Sequence, residues 1–255
     1  LRNVYRSPGT GLKIQIINPA LALGSGVHEA IDQFVKLEIK DRSKEKLEEI
    51  FEIVWSGFTG EKGGFVNREE EKEYKDRGWA MLDRFFANDH FKATTQIKTP
   101  SFPKAELGDD LILTGKLDWI EGDGDGFHIV DFKTGKNDEK EDSMQLPIYA
   151  ILTSQIFKTD KIKTSYWYLD RDDELRDFPV VDMEEFAKTL KQKGMIIKLA
   201  RQTKSFVCAR GGESCWACKD MLAIKNGKGK LVTIDAARKQ ENYILPKEIK
   251  SDLPF

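Results

Sequence analysis

The stretch LTGKLDWIEGDGDGFHIVDFKTGK, residues 113–136, decides how the rest of the chain is read. Two apolar runs flank a tract made only of Gly and Asp, the composition of a hairpin turn. In an antiparallel pair the indices of facing residues sum to a constant. A turn centred between Gly124 and Asp125 therefore sets Asp118 opposite Asp131, with Cβ atoms about 4.5–5.5 Å apart. Lys133 lies two residues beyond Asp131 and shares its face. Leu117 and Trp119 flank the first aspartate, and Ile129, Val130 and Phe132 surround the second. A strand apolar on both faces is buried. Two carboxylates held there repel each other unless one is protonated or a cation lies between them. The competing reading is an exposed hairpin with Asp and Lys paired across strands, because structural ion pairs look the same in sequence.

Paired oxygen ligands with open positions suit a hard divalent cation, Mg²⁺ or Mn²⁺. A lysine on the same face can activate water and stabilise charge on a phosphate. Together these parts are the equipment of phosphodiester hydrolysis.

Upstream, three segments carry helical periodicity. Residues 24–39 place Val27, Ala30, Ile31 and Phe34 on one stripe, with His28 in the first turn of a helix that opens after LGSG. Residues 43–55 follow with Ser43 as N-cap, and residues 67–86 open with Asn67 and Glu70 as a capping box. Residues 91–99 are strand-like. Downstream of the hairpin, residues 141–157 are expected to form a helix capped by Asp142 and Gln145, with Pro147 in its first turns. Residues 161–169 and 175–181 flank the turn DRDDE as a second hairpin, and 182–202 form a helix with a D-x-x-E cap. The tail from 226 has weak periodicity. The order is helices, then ββ–α–ββ–α, which predicts an α/β (α+β) chain. A mixed central sheet would carry the chemistry, with an N-terminal helical cluster beside it.

The chain has 255 residues, 40% of them hydrophobic and 33% charged. That is enough for one large domain with a real core. We expect a helical part at about 24–90, a sheet-bearing core at about 91–205 and a cysteine-containing loop and tail at 206–255. A net charge of −2 conceals 41 basic and 43 acidic residues, so nucleic-acid binding would rest on local basic stripes. No segment has the length of a membrane span, and no signal-peptide pattern opens the chain. The first residue is Leu1, the expectation being that residues preceding it have been trimmed. Three cysteines, an odd count, point to a reducing, cytoplasmic setting.

Four stretches in order resemble the PD-(D/E)XK nuclease superfamily, specifically its RecB-like branch of AddB-type and CRISPR-associated exonucleases. They are GSGVHEAI (24–31), GKLD ending at Asp118, DFKTG (131–135) and QLPIY (145–149). The resemblance spans about residues 24–218 and implies a restriction-endonuclease-like fold. It implies that His28, Asp118, Asp131 and the Phe132 carbonyl are metal ligands and that Lys133 is catalytic. Gln145 and Tyr149, at i and i+4, would present one helix face to the site or to DNA. Glu106 lies upstream of the first strand, where relatives often carry an acid, and is a weaker candidate. Each residue also has a bland reading. His28 serves as an ordinary helix histidine, Gln145 as a cap and Tyr149 as core. DGDG is not an EF-hand loop, because Thr134 stands where the loop's glutamate belongs.

Some RecB-like nucleases hold an iron–sulfur cluster with four cysteines. Cys215 and Cys218 match the C-x2-C portion of that pattern, but the next expected ligand position is Ile224. Cys208 compensates in part, or a preceding segment supplies the fourth ligand. Three thiolates alone are incomplete for zinc or a cluster. The implied function is a Mg²⁺- or Mn²⁺-dependent deoxyribonuclease, an exonuclease of DNA repair or recombination. Single-stranded ends would be its substrate and a helicase its neighbour. The alternatives are an inactive nuclease-fold module that binds DNA or scaffolds, and a metal-dependent small-molecule enzyme. The aromatic stretch SYWYL (165–169) serves either to stack bases or as core strand.

Overall fold

The computed structural model describes residues 6–179, 181–208 and 215–246. The expectations for the chain start at 1–5, the end of the second hairpin at 180, the middle of the cysteine loop at 209–214 and the tail end at 247–255 lie outside the described residues. The described residues form a mixed α/β fold that divides into two compact units. One comprises Val27–Ile50 and Trp79–Ser205, the other Leu1–Gly26, Phe51–Gly78 and Phe206–Phe255. None of the described helices is long and apolar enough to cross a membrane.

The first of these units is built on a four-stranded mixed sheet. Its strands are β4 (Trp119–Asp123), β5 (Gly126–Lys133), β6 (Ile162–Tyr168) and β7 (Arg176–Phe178), in that spatial order. The β4–β5 hairpin is antiparallel, with Trp119 opposite Val130 and Asp123 opposite Gly126. Continued by one step, this register sets position 118 against 131, as the index arithmetic requires. Gly124 takes the first central place of the two-residue turn with φ +59°, a value that favours glycine. Strand β6 runs parallel to β5, so the chain must cross over between them. Helix α5 (Gln145–Phe157) supplies that crossover.

Alternation along β5 sorts the chemistry from the filling. Ile129 and the flanking Ile120, Tyr166 and Tyr168 pack with Leu146, Ala150 and Leu152 of α5 and Leu190 of α6 (Met183–Gln202). Phe132, Trp119 and Trp167 occupy the opposite face and form an aromatic layer with Phe85 and Phe91. Phe91 stacks on Trp167 at 4.9 Å and meets Trp119 edge-on at 4.9 Å. A short hairpin, β2 (Lys104–Gly108) and β3 (Leu111–Thr114), turns at Asp109 and Asp110 with φ of 53° and 59°. In the other unit β1 (Lys13–Ile16) pairs parallel with β9 (Gln240–Ile244), which pairs antiparallel with β8 (Lys230–Asp235). Ile14, Met221, Ile224 and Leu245 form its core, two of them from α7 (Trp216–Lys225).

Several caps are as expected. Ser43 Oγ accepts the Lys46 N–H at 3.2 Å at the start of α2 (Lys44–Ser56), and Asn67 Oδ1 accepts that of Glu70 at 2.8 Å on α3 (Arg68–Ala87). Asp182 accepts from Glu184 and Glu185 on α6. Other boundaries differ. Helix α1 (Pro19–Phe34) begins before LGSG, with Asn18 Oδ1 accepting the Leu21 N–H at 2.9 Å. His28 therefore sits in mid-helix. Gly26 serves packing rather than a helix start, since a Cβ there would stand 3.3 Å from the Trp55 ring. Residues 91–93 belong to the single turn α4 (Asp89–Ala93), capped by Asn88, and 94–99 form no regular strand. Asp118 lies just outside β4, because 115–118 form no regular strand. Helix α5 starts without a side-chain cap from Asp142, and Gln145 turns to other partners. The tail holds the β8–β9 hairpin, whose short, half-exposed strands leave little periodic signal.

Candidate active site

Strand β5 delivers Asp131 and Lys133 to one face, and the chain entering β4 delivers Asp118 beside them. Asp131 is 1% exposed. Asp118 is fixed from both sides. Its Oδ2 accepts the Phe132 backbone N–H at 3.1 Å, and its carbonyl accepts from Gln96 Nε2 at 2.8 Å. Burial and the neighbouring Asp118 push the Asp131 carboxyl up to about 7. Burial acts on Asp118 in the same direction, yet the adjacent His28 and the Phe132 N–H hold it below the usual carboxylate range. One aspartate is thus pre-set as an anion and the other poised to exchange a proton.

Lys133 Nζ lies 2.9 Å from Asp131 Oδ2, 2.5 Å from Gln145 Oε1 and 3.1 Å from Glu139 Oε1. It also sits 4.9 Å from the Tyr166 ring centroid. Burial works against its charge, but Asp131 and Glu139 outweigh that and raise its pKa, so it stays an ammonium. Gln145 Nε2 donates to Asp131 Oδ1 at 2.7 Å and to the Tyr149 hydroxyl at 3.0 Å. One amide therefore ties strand to helix across the first turn of α5. Burial and the nearby Asp131 raise the Tyr149 phenol, which stays protonated.

His28 Nδ1 is 3.1 Å from Asp118 Oδ1, across 90 positions of sequence. Burial lowers its pKa, but Asp118 prevails and the net shift is upward. The donor set fits a hard cation with one softer ligand: the two carboxylates of Asp118 and Asp131 and the His28 imidazole. Asp131 Oδ2 is buried and faces the Lys133 ammonium at 2.9 Å. Divalent cations bind through carboxylate oxygens of this kind.

Among the sequence candidates, His28, Asp118, Asp131, Lys133, Gln145 and Tyr149 are brought together, and Phe132 joins them through its main chain. Glu106 is exposed on β2, its backbone bonded to the Gln155 amide, and among the described residues it makes no hydrogen bond or ion pair with this cluster. Glu139 was not legible, because nothing in GKNDEKEDS separates one acid from the next. Tyr166, Trp167 and Tyr168 of SYWYL are buried, so this stretch is core strand and not a base-stacking platform. The Sγ atoms of Cys208, Cys215 and Cys218 gather within 4.8 Å of one another in the other unit, with Cys208 and Cys218 at 3.9 Å. Burial and the two neighbouring thiols push the Cys218 thiol up to about 11. Three soft donors fit a thiophilic ion, among the described residues one ligand short of a closed tetrahedron.

No curated protein matches the chain. A family model described as the PD-(D/E)XK nuclease superfamily matches residues 4–219. That match takes in both facing aspartates, the lysine and the glutamine–tyrosine helix face, and covers well over half of the sequence. The chain belongs to the PD-(D/E)XK nuclease superfamily.

Proposed function

We propose that this chain is a Mg²⁺- or Mn²⁺-dependent deoxyribonuclease of the RecB-like branch, an exonuclease that trims single-stranded ends in repair or recombination beside a helicase. The observation that carries the reading is the contact of His28 with Asp118. The bland reading of His28 as an ordinary helix histidine does not require it to meet a buried acid 90 positions away.

In this reading Asp118, Asp131, His28 and the Phe132 carbonyl would hold the cation. When bound, it polarises the phosphoryl oxygen and lowers the pKa of water. Lys133 directs its ammonium at the attacking water or the phosphate and stabilises the negative charge that develops. Gln145 fixes Lys133 and Asp131 relative to each other. Tyr149, as a neutral phenol, orients Gln145. Asp131, whose pKa is raised by burial and Asp118, would have to be deprotonated to serve as a ligand. The cysteine cluster would hold a zinc ion or an iron–sulfur cluster once a fourth ligand is supplied. End-labelled single-stranded, duplex and circular DNA, with RNA for comparison, incubated with Mg²⁺ or Mn²⁺, provide the test. Cleavage of linear single strands with circles spared is the expected result. No cleavage of any substrate would favour the inactive binding module.

A further inference from the structure

Beside Lys133, one loop covers three cations with two consecutive carboxylates. Tyr168 is the ladder partner of Lys133, one strand spacing away, about 4.8 Å. The guanidinium of Arg171 lies 4.4 Å from the Tyr168 ring centroid and that of Arg176 lies 5.1 Å away. Stacking on an aromatic face fixes a guanidinium while leaving its N–H edge free to bind an oxyanion. Both edges converge on one oxygen, Asp138 Oδ1, from Arg176 Nη1 at 3.3 Å and from Arg171 Nη2. Arg171 Nη1 also donates to the Lys136 carbonyl, and the Asp172 carboxylate forms ion pairs with both guanidiniums, at 2.8 Å from Arg176 Nε and 3.9 Å from Arg171 Nε. The next loop residue, Glu139, faces Lys133 at 3.1 Å, and its N–H donates to the Tyr168 hydroxyl at 2.9 Å.

Consecutive anions thus rest on the arginine pair and on the lysine, in the manner of consecutive phosphates along a strand. We propose that Arg171 and Arg176, stacked on Tyr168, form a subsite for the backbone phosphate next to the one at Lys133, and that Asp138 fills it until the strand arrives. The proposal rests on the nuclease reading and extends it. The side chains of Asp138, Arg176 and Arg171 are 62%, 51% and 29% exposed, so the acid can leave and the cations can be reached. Arginine pairs suit phosphate because their planar forks match its oxygens.

A loop clamp and a phosphate subsite make opposite predictions. Changing either partner breaks a clamp alike, whereas a subsite loses affinity with its cations and gains it when its resident anion is neutralised. The test is fluorescence anisotropy of a labelled single strand of about 16 nucleotides, with the whole chain in EDTA so that nothing is cut. Arg171→Gln and Arg176→Gln should each weaken binding roughly 3- to 10-fold and lower the salt slope by about 0.7. Asp138→Asn should tighten binding by roughly 2- to 5-fold, the opposite sign of one charge. If Arg171→Gln and Asp138→Asn move affinity in the same direction, or the arginine variants bind as wild type does, the subsite is wrong and the nuclease reading stands. If the wild-type chain binds no strand at all, the subsite is wrong, and the nuclease reading is decided separately by the cleavage assay with Mg²⁺ or Mn²⁺.

Discussion

Asp131 is buried among opposing influences, and its proton has a measurable consequence. Burial and Asp118 lift its carboxyl from 3.8 to about 7, with Lys133 offsetting part of the shift. Between those values the native state carries a proton that the unfolded chain has lost. Stability of the metal-free protein should therefore fall as pH rises from about 4 to about 7, by at most about 1.4 kcal/mol per pH unit. Asp118, held below its ordinary value, contributes stability that is lost only as pH falls below that window. His28 is raised above 6.5, so its contribution disappears as pH rises beyond that value, with the same sign as Asp131. Urea titrations in EDTA from pH 4.5 to 7.5 check this. Asp131→Asn should flatten the slope, and a slope unchanged in that variant would assign the proton elsewhere. The same substitution, like Lys133→Ala, should reduce cleavage by on the order of 10³-fold while the fold survives. Turnover at the wild-type rate by a folded variant would remove either residue from the chemistry.

The β4–β5 hairpin is the element on which this placement depends, and Gly126 keeps its turn in place. A Cβ there would stand 2.3 Å from the Lys161 carbonyl at the entry to β6. Backbone on both sides of such a contact cannot swing away like a flexible side chain. Gly126→Ala should cost about 1–3 kcal/mol in urea unfolding, and it should reduce activity through the register even though it touches no catalytic group. The hairpin was legible because its turn composition and its facing residues follow from period-two geometry. The α1 start was not, because Gly24 and Gly26 imitate a break, and only in three dimensions does Gly26 lie against the Trp55 ring. The β8–β9 strands were missed for want of alternation. Asp138, Glu139, Arg171 and Arg176 read as solvated charges, since their pairing depends on a crossover that brings two separate turns together. Motif order picks out His28, but its expected place in a first helical turn does not hold, because α1 begins at Pro19.

At the scale of the whole molecule, two groups of different softness can be separated by which ion each answers to. Asp118 and Asp131 repel each other across a buried hairpin, so a hard cation that binds only the folded chain should stabilise it. At a hundredfold excess over the dissociation constant the gain is about 2.7 kcal/mol, a rise in melting temperature of roughly 5–10 °C for a chain of this size. The thiols of Cys208, Cys215 and Cys218 lie in the other compact unit, already gathered within 4.8 Å. Thiolates select zinc or iron–sulfur chemistry over Mn²⁺. Melting curves should therefore cross over between variants. Asp118→Asn should blunt the Mn²⁺ response and leave any Zn²⁺ response intact, and Cys215→Ser should do the reverse. Protonation competes with metal at the carboxylates and at His28, so the Mn²⁺ gain should shrink as pH falls from about 7 toward 5. Melting indifferent to saturating Mn²⁺ at pH 7.5 would show that the facing aspartates are stabilised by their own proton and by Lys133 alone. A Mn²⁺ response abolished by Cys215→Ser would place the bound ion at the thiols instead.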